Sequence, residues 1–319
     1  MRAAVVHSFD APPRYDTFET PVPRGEHQFL VEVLAAGLHP RVRSGAGGTH
    51  YASDGALPMV PGVDGVGCTA DGELHYFVAL DDAVGTMAER AVVDRRRAVP
   101  LPPGTDPAAV AAAMNPGMSS WVALRRRIDF RPGASVLVLG ATGSAGQLAV
   151  QIAKHLGAGR VVAAGRDPER LALLPALGAD ETLPLSGEPD EIAERVAKSA
   201  ADVDVVIDYV WGHVTETVMP ALLMARTDRA APLDWIEIGS MAGQEAALPS
   251  ALLRKANLRV LGSGQGSVAT ADIVAELPAL AAEITAGTLA VHPVPMPLSQ
   301  VEQAWAASTG PGERIVLVP

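Results

Sequence analysis

The stretch that decides the fold is Val136-Leu137-Val138-Leu139-Gly140-Ala141-Thr142-Gly143-Ser144-Ala145-Gly146. Four apolar residues read as a strand, and Gln147–Leu156 after the glycines reads as a helix. A glycine-spaced turn between a strand and a helix is the context of a dinucleotide-binding fingerprint. Gly143 lets a pyrophosphate approach the backbone, and Gly146 lets the helix lie close on the strand. The helix N-terminus presents free N–H groups to phosphate. Ala141 stands where the usual pattern has its first glycine. Ala141, Thr142, Gly143, Ser144, Ala145 and Gly146 are therefore candidate cofactor contacts.

Working outward, strands and helices alternate. Val161–Ala164, Val203–Tyr209, Trp235–Ile238 and Leu258–Leu261 read as further strands. Pro168–Leu177, Glu191–Ser199 and Ala271–Ala286 read as helices. Runs of Val, Ile and Leu without polar alternation are strands buried on both faces, as in a parallel sheet covered by helices. The class is α/β, with a doubly wound parallel sheet. Upstream, Arg2–Ser8 and Gln28–Ala35 are short β-type runs broken by Pro12-Pro13, Pro21-Val22-Pro23 and Pro100 to Gly104. Asp106–Met114 reads as helix, and Ser119–Arg127 as its continuation after Pro116-Gly117. The tail, with Val291–Pro297 and Ile315–Val318, turns β-like again. We assign residues 1–118 and 287–319 to one discontinuous β-rich domain and 119–286 to the cofactor domain.

Cofactor choice is read after the second strand. An NAD-binding chain usually carries an acid there, about 20 residues past the glycines, for the ribose 2′-OH. Here Gly165 and Arg166 follow the strand, with Asp167-Pro168 next and Arg170 one turn on. Glycine leaves room for a 2′-phosphate and arginine can bind it bidentately, so NADP(H) is expected. The alternative is that Arg166 is a solvated surface residue and Asp167 caps the next helix.

The chain has 319 residues, 48% of them apolar, and a formal net charge of -11. Such a charge disfavours nucleic acid and anionic membrane partners. Cys68 is the only cysteine, which excludes an intramolecular disulfide and a cysteine-built metal site. No apolar run approaches the roughly 20 residues of a membrane helix. A cytoplasmic protein with a small-molecule substrate is expected.

Several motifs then fall in order. Pro61-Gly62-Val63-Asp64-Gly65-Val66-Gly67, Gly85-Thr86-Met87-Ala88-Glu89, Gln151-Ile152-Ala153-Lys154, Leu177-Gly178-Ala179-Asp180 and Val203–Asp208 with Gly239 occur along nearly the whole chain. In this order and spacing they resemble the zinc-free, quinone-oxidoreductase-like branch of the medium-chain dehydrogenase/reductase superfamily. The resemblance implies a Rossmann domain, a discontinuous GroES-like catalytic domain and a cleft between them. It also implies NADPH-dependent reduction of quinones or α,β-unsaturated carbonyls. It places His39, Val63 and Asn115 where the zinc branch has Cys, His and Cys. Valine cannot ligate a metal and asparagine is a poor zinc ligand, so no metal is expected.

By the same resemblance, Tyr51 stands near the nicotinamide and could donate a proton to the substrate oxygen. His39 occupies a position usually held by Asn and could do the same. Packing or cleft roles remain open for both, and His50 reads as loop surface. Ser119 matches a residue that touches the cofactor, or it caps its helix. Tyr209, Gly239 and Ser240 lie at strand ends expected to flank the cofactor. Tyr209-Val210-Trp211-Gly212 is unusually aromatic and could instead serve packing. Asp64 is expected to order its loop through Arg41 or Arg43. The segment from His39 to Gly45 and that between Gly67 and Gly85 are shorter than in the branch. A homodimer joined through Leu258–Gly262 is expected. Two other readings stay open: a carbonyl or alcohol oxidoreductase working without zinc, and a nucleotide-binding protein with little catalysis.

Overall fold

The structure is a computed structural model, and it describes residues 1–49, 56–79, 83–310 and 312–319. The chain divides into two compact units, residues 1–115 with 270–319, and residues 116–269.

The first unit is β-rich. Strands β1 (Arg2–Val5) and β2 (Arg14–Thr17) form an antiparallel pair. The strands β3 (Gln28–Gly37), β4 (Asp64–Cys68), β5 (Leu74–Val78), β6 (Arg90–Asp94) and β7 (Ala98–Pro100) follow. Helix α1 (Pro40–Ala46) leaves the end of β3, with His39 as its N-cap residue. Helix α2 (Pro107–Val122) runs straight through Pro116, where the sequence suggests two helices. Val110–Met114 before the proline and Trp121–Leu124 after it are buried, and that burial outweighs the lost backbone bond.

The second unit is a six-stranded, wholly parallel sheet. Its strands are β8 (Ser135–Leu139), β9 (Arg160–Gly165), β10 (Glu181–Pro184), β11 (Val205–Asp208), β12 (Leu233–Glu237) and β13 (Leu258–Gly262), in the order β10-β9-β8-β11-β12-β13. Chain order reverses between β8 and β11, which makes the carboxyl end of that pair the crevice where doubly wound sheets take ligands. Helices α3 (Ser144–His155), α4 (Pro168–Leu171), α5 (Pro189–Ser199), α6 (Gly212–Ala225) and α7 (Ser250–Lys255) connect the strands. The helix expected over 168–177 is broken. It is α4 followed by a 3-10 turn at Leu174–Leu177 around Pro175, ending on Gly178 at φ 106°. Trp235, Leu137, Leu139, Val206, Val218 and Leu222 lie in one buried cluster of this unit.

The remaining elements return to the first unit. They are α8 (Thr270–Thr285), β14 (His292–Pro297), α9 (Val301–Ala306) and β15 (Glu313–Val318). The sequence places the α8 segment with the cofactor block, whereas the division falls at 269/270. The reason is contact: Leu277, Leu280, Ala281 and Ile284 are buried, α8 touches β7, and Thr285 bonds Thr105. The second sheet of the first unit runs β14-β15-β3-β4-β5-β7, with β6 paired to β3. Its outermost strand, β14, lies parallel to β15 and carries Pro293, Pro295 and Pro297. The fold thus comprises a Rossmann unit and a GroES-like β-rich unit.

Candidate active site

In the Rossmann unit, β8 delivers the glycine loop to the carboxyl edge of the sheet. Gly140 turns at φ 83°, a left-handed conformation that glycine adopts without cost. Its N–H and that of Ala141 both donate to the Ala164 carbonyl of β9, which pins the loop to the neighbouring strand. A Cβ on Gly146 would lie 2.3 Å from the Gly140 carbonyl oxygen and 2.6 Å from Ala141 Cα, so α3 sits directly on the loop. Gly143 is the N-cap of α3, and no side chain caps it. Its own missing Cβ would meet only the Gly140 oxygen, at 3.6 Å. The loop is therefore closed toward the strand at Gly146 and open outward at Gly143. Uncapped first-turn N–H groups above an open glycine are what a phosphate requires.

At the end of β9, a Cβ on Gly165 would strike the Thr142 side chain at 2.4 Å. The glycine therefore serves the close packing of the two loops. Arg166 is exposed and its neighbour Asp167 caps α4, accepting from the Arg170 N–H. Arg170 also pairs with Asp167 at 3.3 Å. Of the two basic residues, Arg166 has the freer reach to an anion.

The other predicted residues of this unit gather at the same edge. Ser119 lies inside α2 and does not cap it; its hydroxyl donates to the Pro116 carbonyl and bonds the Tyr209 hydroxyl at 2.8 Å. Tyr209 is buried, and burial pushes its phenol up to about 12, so it stays protonated. Gly140 lies against Tyr209 Cβ and Val210 Cγ1, and Gly239 against the Tyr209 carbonyl, so the ends of β8, β11 and β12 converge. Ser240 follows Gly239 on the exposed rim.

One residue decisive for this edge has no sequence motif of its own for its role. Asp208, fully buried at the end of β11, accepts four hydrogen bonds. Two come from the Val210 and Trp211 N–H groups to Oδ1, both at 2.9 Å. Two come from Thr215 Oγ1 at 2.6 Å and Trp235 Nε1 at 2.9 Å to Oδ2.

In the first unit, His39 is buried and its Nε2 meets Asp64 Oδ1 at 2.9 Å. Tyr76, which the sequence does not single out, donates to Asp64 Oδ2 at 3.0 Å. Burial and the Asp64 charge hold the Tyr76 phenol well above its ordinary range. Asp64 is thus held by His39 and Tyr76. Of the two arginines expected to order that loop, Arg43 donates to the Trp305 and Ala304 carbonyls and lies over the Trp305 ring, while Arg41 acts electrostatically on Tyr76. A second cation, Arg314, is buried near Asp64; burial lowers it to about 10 against the pull of that carboxylate. Tyr51 and His50 fall outside the described residues.

A family model described as "Zinc-binding dehydrogenase" matches residues 145–282. The "Probable NADPH-dependent quinone reductase tdiC" of Emericella nidulans is 32% identical over 362 aligned residues, covering all of both chains. The chain belongs to the medium-chain dehydrogenase/reductase superfamily. Within that superfamily it is quinone-oxidoreductase-like. It overlays fully on the quinone oxidoreductase of Thermus thermophilus, a protein solved also in complex with NADPH, with TM-score 0.83 and 29% identity. The chloroplastic "NADPH-dependent alkenal/one oxidoreductase" of Arabidopsis thaliana is 30% identical over 201 residues, 58% of this chain and half of that protein.

The part of this dehydrogenase/reductase chain matched by the zinc-binding model excludes positions 39, 63 and 115. Val63 packs into an apolar cluster with Leu38, Met87 and Leu317, and His39 has one ring nitrogen tied to Asp64. Among the described residues no cluster of three His, Cys, Asp or Glu could hold a metal ion. No helix among them is long and apolar enough to cross a membrane.

Proposed function

We propose that the chain is a zinc-independent, NADPH-dependent reductase of quinones or α,β-unsaturated carbonyls. The observation that carries this reading is the cradle of the Rossmann unit, an uncapped α3 N-terminus over an open Gly143 with Arg166 at the next strand end. The names of the relatives, an NADPH-dependent quinone reductase and an alkenal/one oxidoreductase, support the same class. When bound, NADPH supplies a hydride to an already polarised acceptor, chemistry that needs no Lewis acid to generate a nucleophile.

The chain's own residues position and discharge. The first-turn N–H groups of α3 with Thr142 hold the pyrophosphate, and Arg166, assisted by Arg170, holds the 2′-phosphate. Gly239 and Ser240 would flank the cofactor, and the Ser119–Tyr209 hydrogen bond holds those two side chains at the same edge. His39 is a candidate proton donor. With Asp64 accepting from His39 Nε2, the doubly protonated ring would offer its Nδ1–H to a substrate oxygen and be left as the neutral Nε2–H imidazole. Tyr51 is the second candidate donor. The enzyme works in the cytoplasm as a homodimer, with β13, one of the two edge strands of the parallel sheet, meeting its copy; Val260 on it is exposed.

The test is NADPH oxidation by chelator-treated protein with a benzoquinone, a naphthoquinone, an alkyl enone and a simple ketone. Quinone or enone turnover that prefers NADPH to NADH is expected. Arg166→Ala should raise the KM for NADPH about 10- to 100-fold and leave that for NADH alone, the scale of one charge-assisted contact. Equal use of NADH by the wild type, or a ketone as the sole acceptor, overturns the assignment.

A further inference from the structure

Trp211 is the one described non-glycine residue with a left-handed backbone, at φ 51° and ψ -156°. This lies beside a region of backbone space essentially reserved for glycine, and it persists only where surroundings impose it. The surroundings are identifiable. Asp208 Oδ1 takes the Trp211 N–H and the Val210 N–H together. The next residue, Gly212, is also left-handed at φ 57°, and a Cβ there would lie 2.6 Å from the Ala242 carbonyl oxygen. The Ala242 N–H in turn donates to the Val210 carbonyl at 2.6 Å. The loop is clamped from inside by a buried carboxylate and from outside by the 239–243 turn.

Packing alone does not account for this arrangement. The indole is only partly buried, resting on the cluster around Trp235 and Val218. A half-buried ring gains part of what full burial gives, and the glycine-type backbone takes a comparable amount away. What the arrangement does secure is place. Trp211 follows Val210, whose Cγ1 touches the Gly140 turn, at the carboxyl end of the strand pair where chain order reverses. The backbone that carries the indole is thereby fixed at the strand end from which Val210 reaches the glycine turn.

We propose that Trp211 is a binding residue of the dinucleotide site, held in its strained pose by Asp208 so that its indole walls a flat heteroaromatic ring of the cofactor. The ring is the adenine or the nicotinamide; both offer the same stacking face. This rests on the NADP(H) reading above.

The experiment is calorimetric titration of wild type, Trp211→Gly and Trp211→Phe with NADPH and with 2′,5′-ADP, alongside thermal melting. Trp211→Gly removes the ring and relieves the backbone, whereas Trp211→Phe keeps a ring and the strain. Trp211→Gly should bind NADPH about 5- to 100-fold more weakly while Trp211→Phe stays within about threefold, the span of a lost base–aromatic stack. Both should melt close to wild type. An equal loss for 2′,5′-ADP assigns the ring as adenine, and an unchanged 2′,5′-ADP affinity assigns it as nicotinamide. NADPH binding by Trp211→Gly within about twofold of wild type overturns the inference. So does a binding loss that both variants share together with a lowered melting point, which marks a merely structural residue. A wild type that binds no NADPH overturns the cofactor reading itself.

Discussion

Gly146 is the contact on which the cofactor cradle is built, and alanine there should break it in a measurable way. The added methyl would lie 2.3 Å from the Gly140 oxygen, 2.6 Å from Ala141 Cα and 2.9 Å from the Ala141 carbonyl carbon. All three are backbone atoms, so no rotamer change relieves the clash. Reaching even 3.0 Å, below which real Cβ contacts essentially never fall, takes a displacement of at least about 0.7 Å between α3 and the loop. The inner face of α3, with Leu148, Ala149, Val150, Ile152 and Ala153, is buried, so the helix has nowhere free to go. Overpacking of this kind costs about 1–3 kcal/mol. For a unit of this size that lowers the melting temperature by about 3–10 °C. The same displacement moves the first-turn N–H groups, and NADPH affinity should fall about 10- to 100-fold. Gly143→Ala is the companion. Its methyl meets only the Gly140 oxygen at 3.6 Å, and the residue has φ -79°, open to any side chain. It should melt as wild type yet bind NADPH about tenfold or more weakly, because the methyl stands where the phosphate approaches. Circular-dichroism melts and NADPH titrations read both variants. A Gly146→Ala protein that melts and binds like wild type would refute the rigid strand–helix contact. A Gly143→Ala protein with wild-type affinity would show that the pyrophosphate does not cross that residue.

Two further predictions concern the carboxylates at the other strand ends. Asp208→Asn turns an amide toward either the two backbone N–H groups or the Trp235 indole N–H, donor against donor, and should destabilise by about 2–4 kcal/mol. Adding Trp235→Phe removes one of the opposed donors, so a denaturation double-mutant cycle should show a coupling of about 1 kcal/mol or more; strict additivity would count against the pairing. Glu237 is half-buried beside Asp208, and burial, then the Asp208 charge, holds its carboxyl above the usual range. The folded protein thus binds this proton more tightly than the unfolded chain does. Its contribution to stability is complete below the unfolded value of 4.5 and is lost as pH rises through the folded value. Glu237→Gln should therefore melt higher than wild type near pH 8 and equally near pH 4; a difference confined to acid pH would reverse the sign of the argument.

The cofactor cradle is legible in the sequence because its rule is local. A strand, a spaced pair of glycines and a helix lie within twenty residues, and the structure builds Gly140 to Gly146 as that spacing requires. What is not legible arises from contacts between distant segments. Gly165 reads as space for a ligand group, and a second reason for glycine there, the Thr142 side chain that a Cβ would strike, comes from twenty-three positions earlier. Ser119 reads as a cap because Pro116-Gly117 suggests a break, and only burial on both sides of the proline explains the continuous helix. The partners of Asp64 follow from sheet register, which sets Tyr76 across from Val66 and brings β5 beside β4. Helix α6 opens with glycine and contains Thr215, Thr217, Val218 and Pro220, a composition of poor helix formers, so its existence is decided by the buried face of Val214, Val218, Met219 and Leu222.

The prolines of β14 have a consequence for association. Residues along a strand turn their N–H groups alternately to one side and the other, and a proline nitrogen carries no hydrogen. With Pro293, Pro295 and Pro297 at alternate positions, the N–H groups available to β15 are those of His292, Val294 and Met296. The outer rim then offers carbonyl oxygens and no donors. An incoming strand would find only half of a ladder there, so this margin of the sheet is inert to cross-β growth and templated aggregation. The protection is nearly free, since the missing hydrogens would otherwise have faced water.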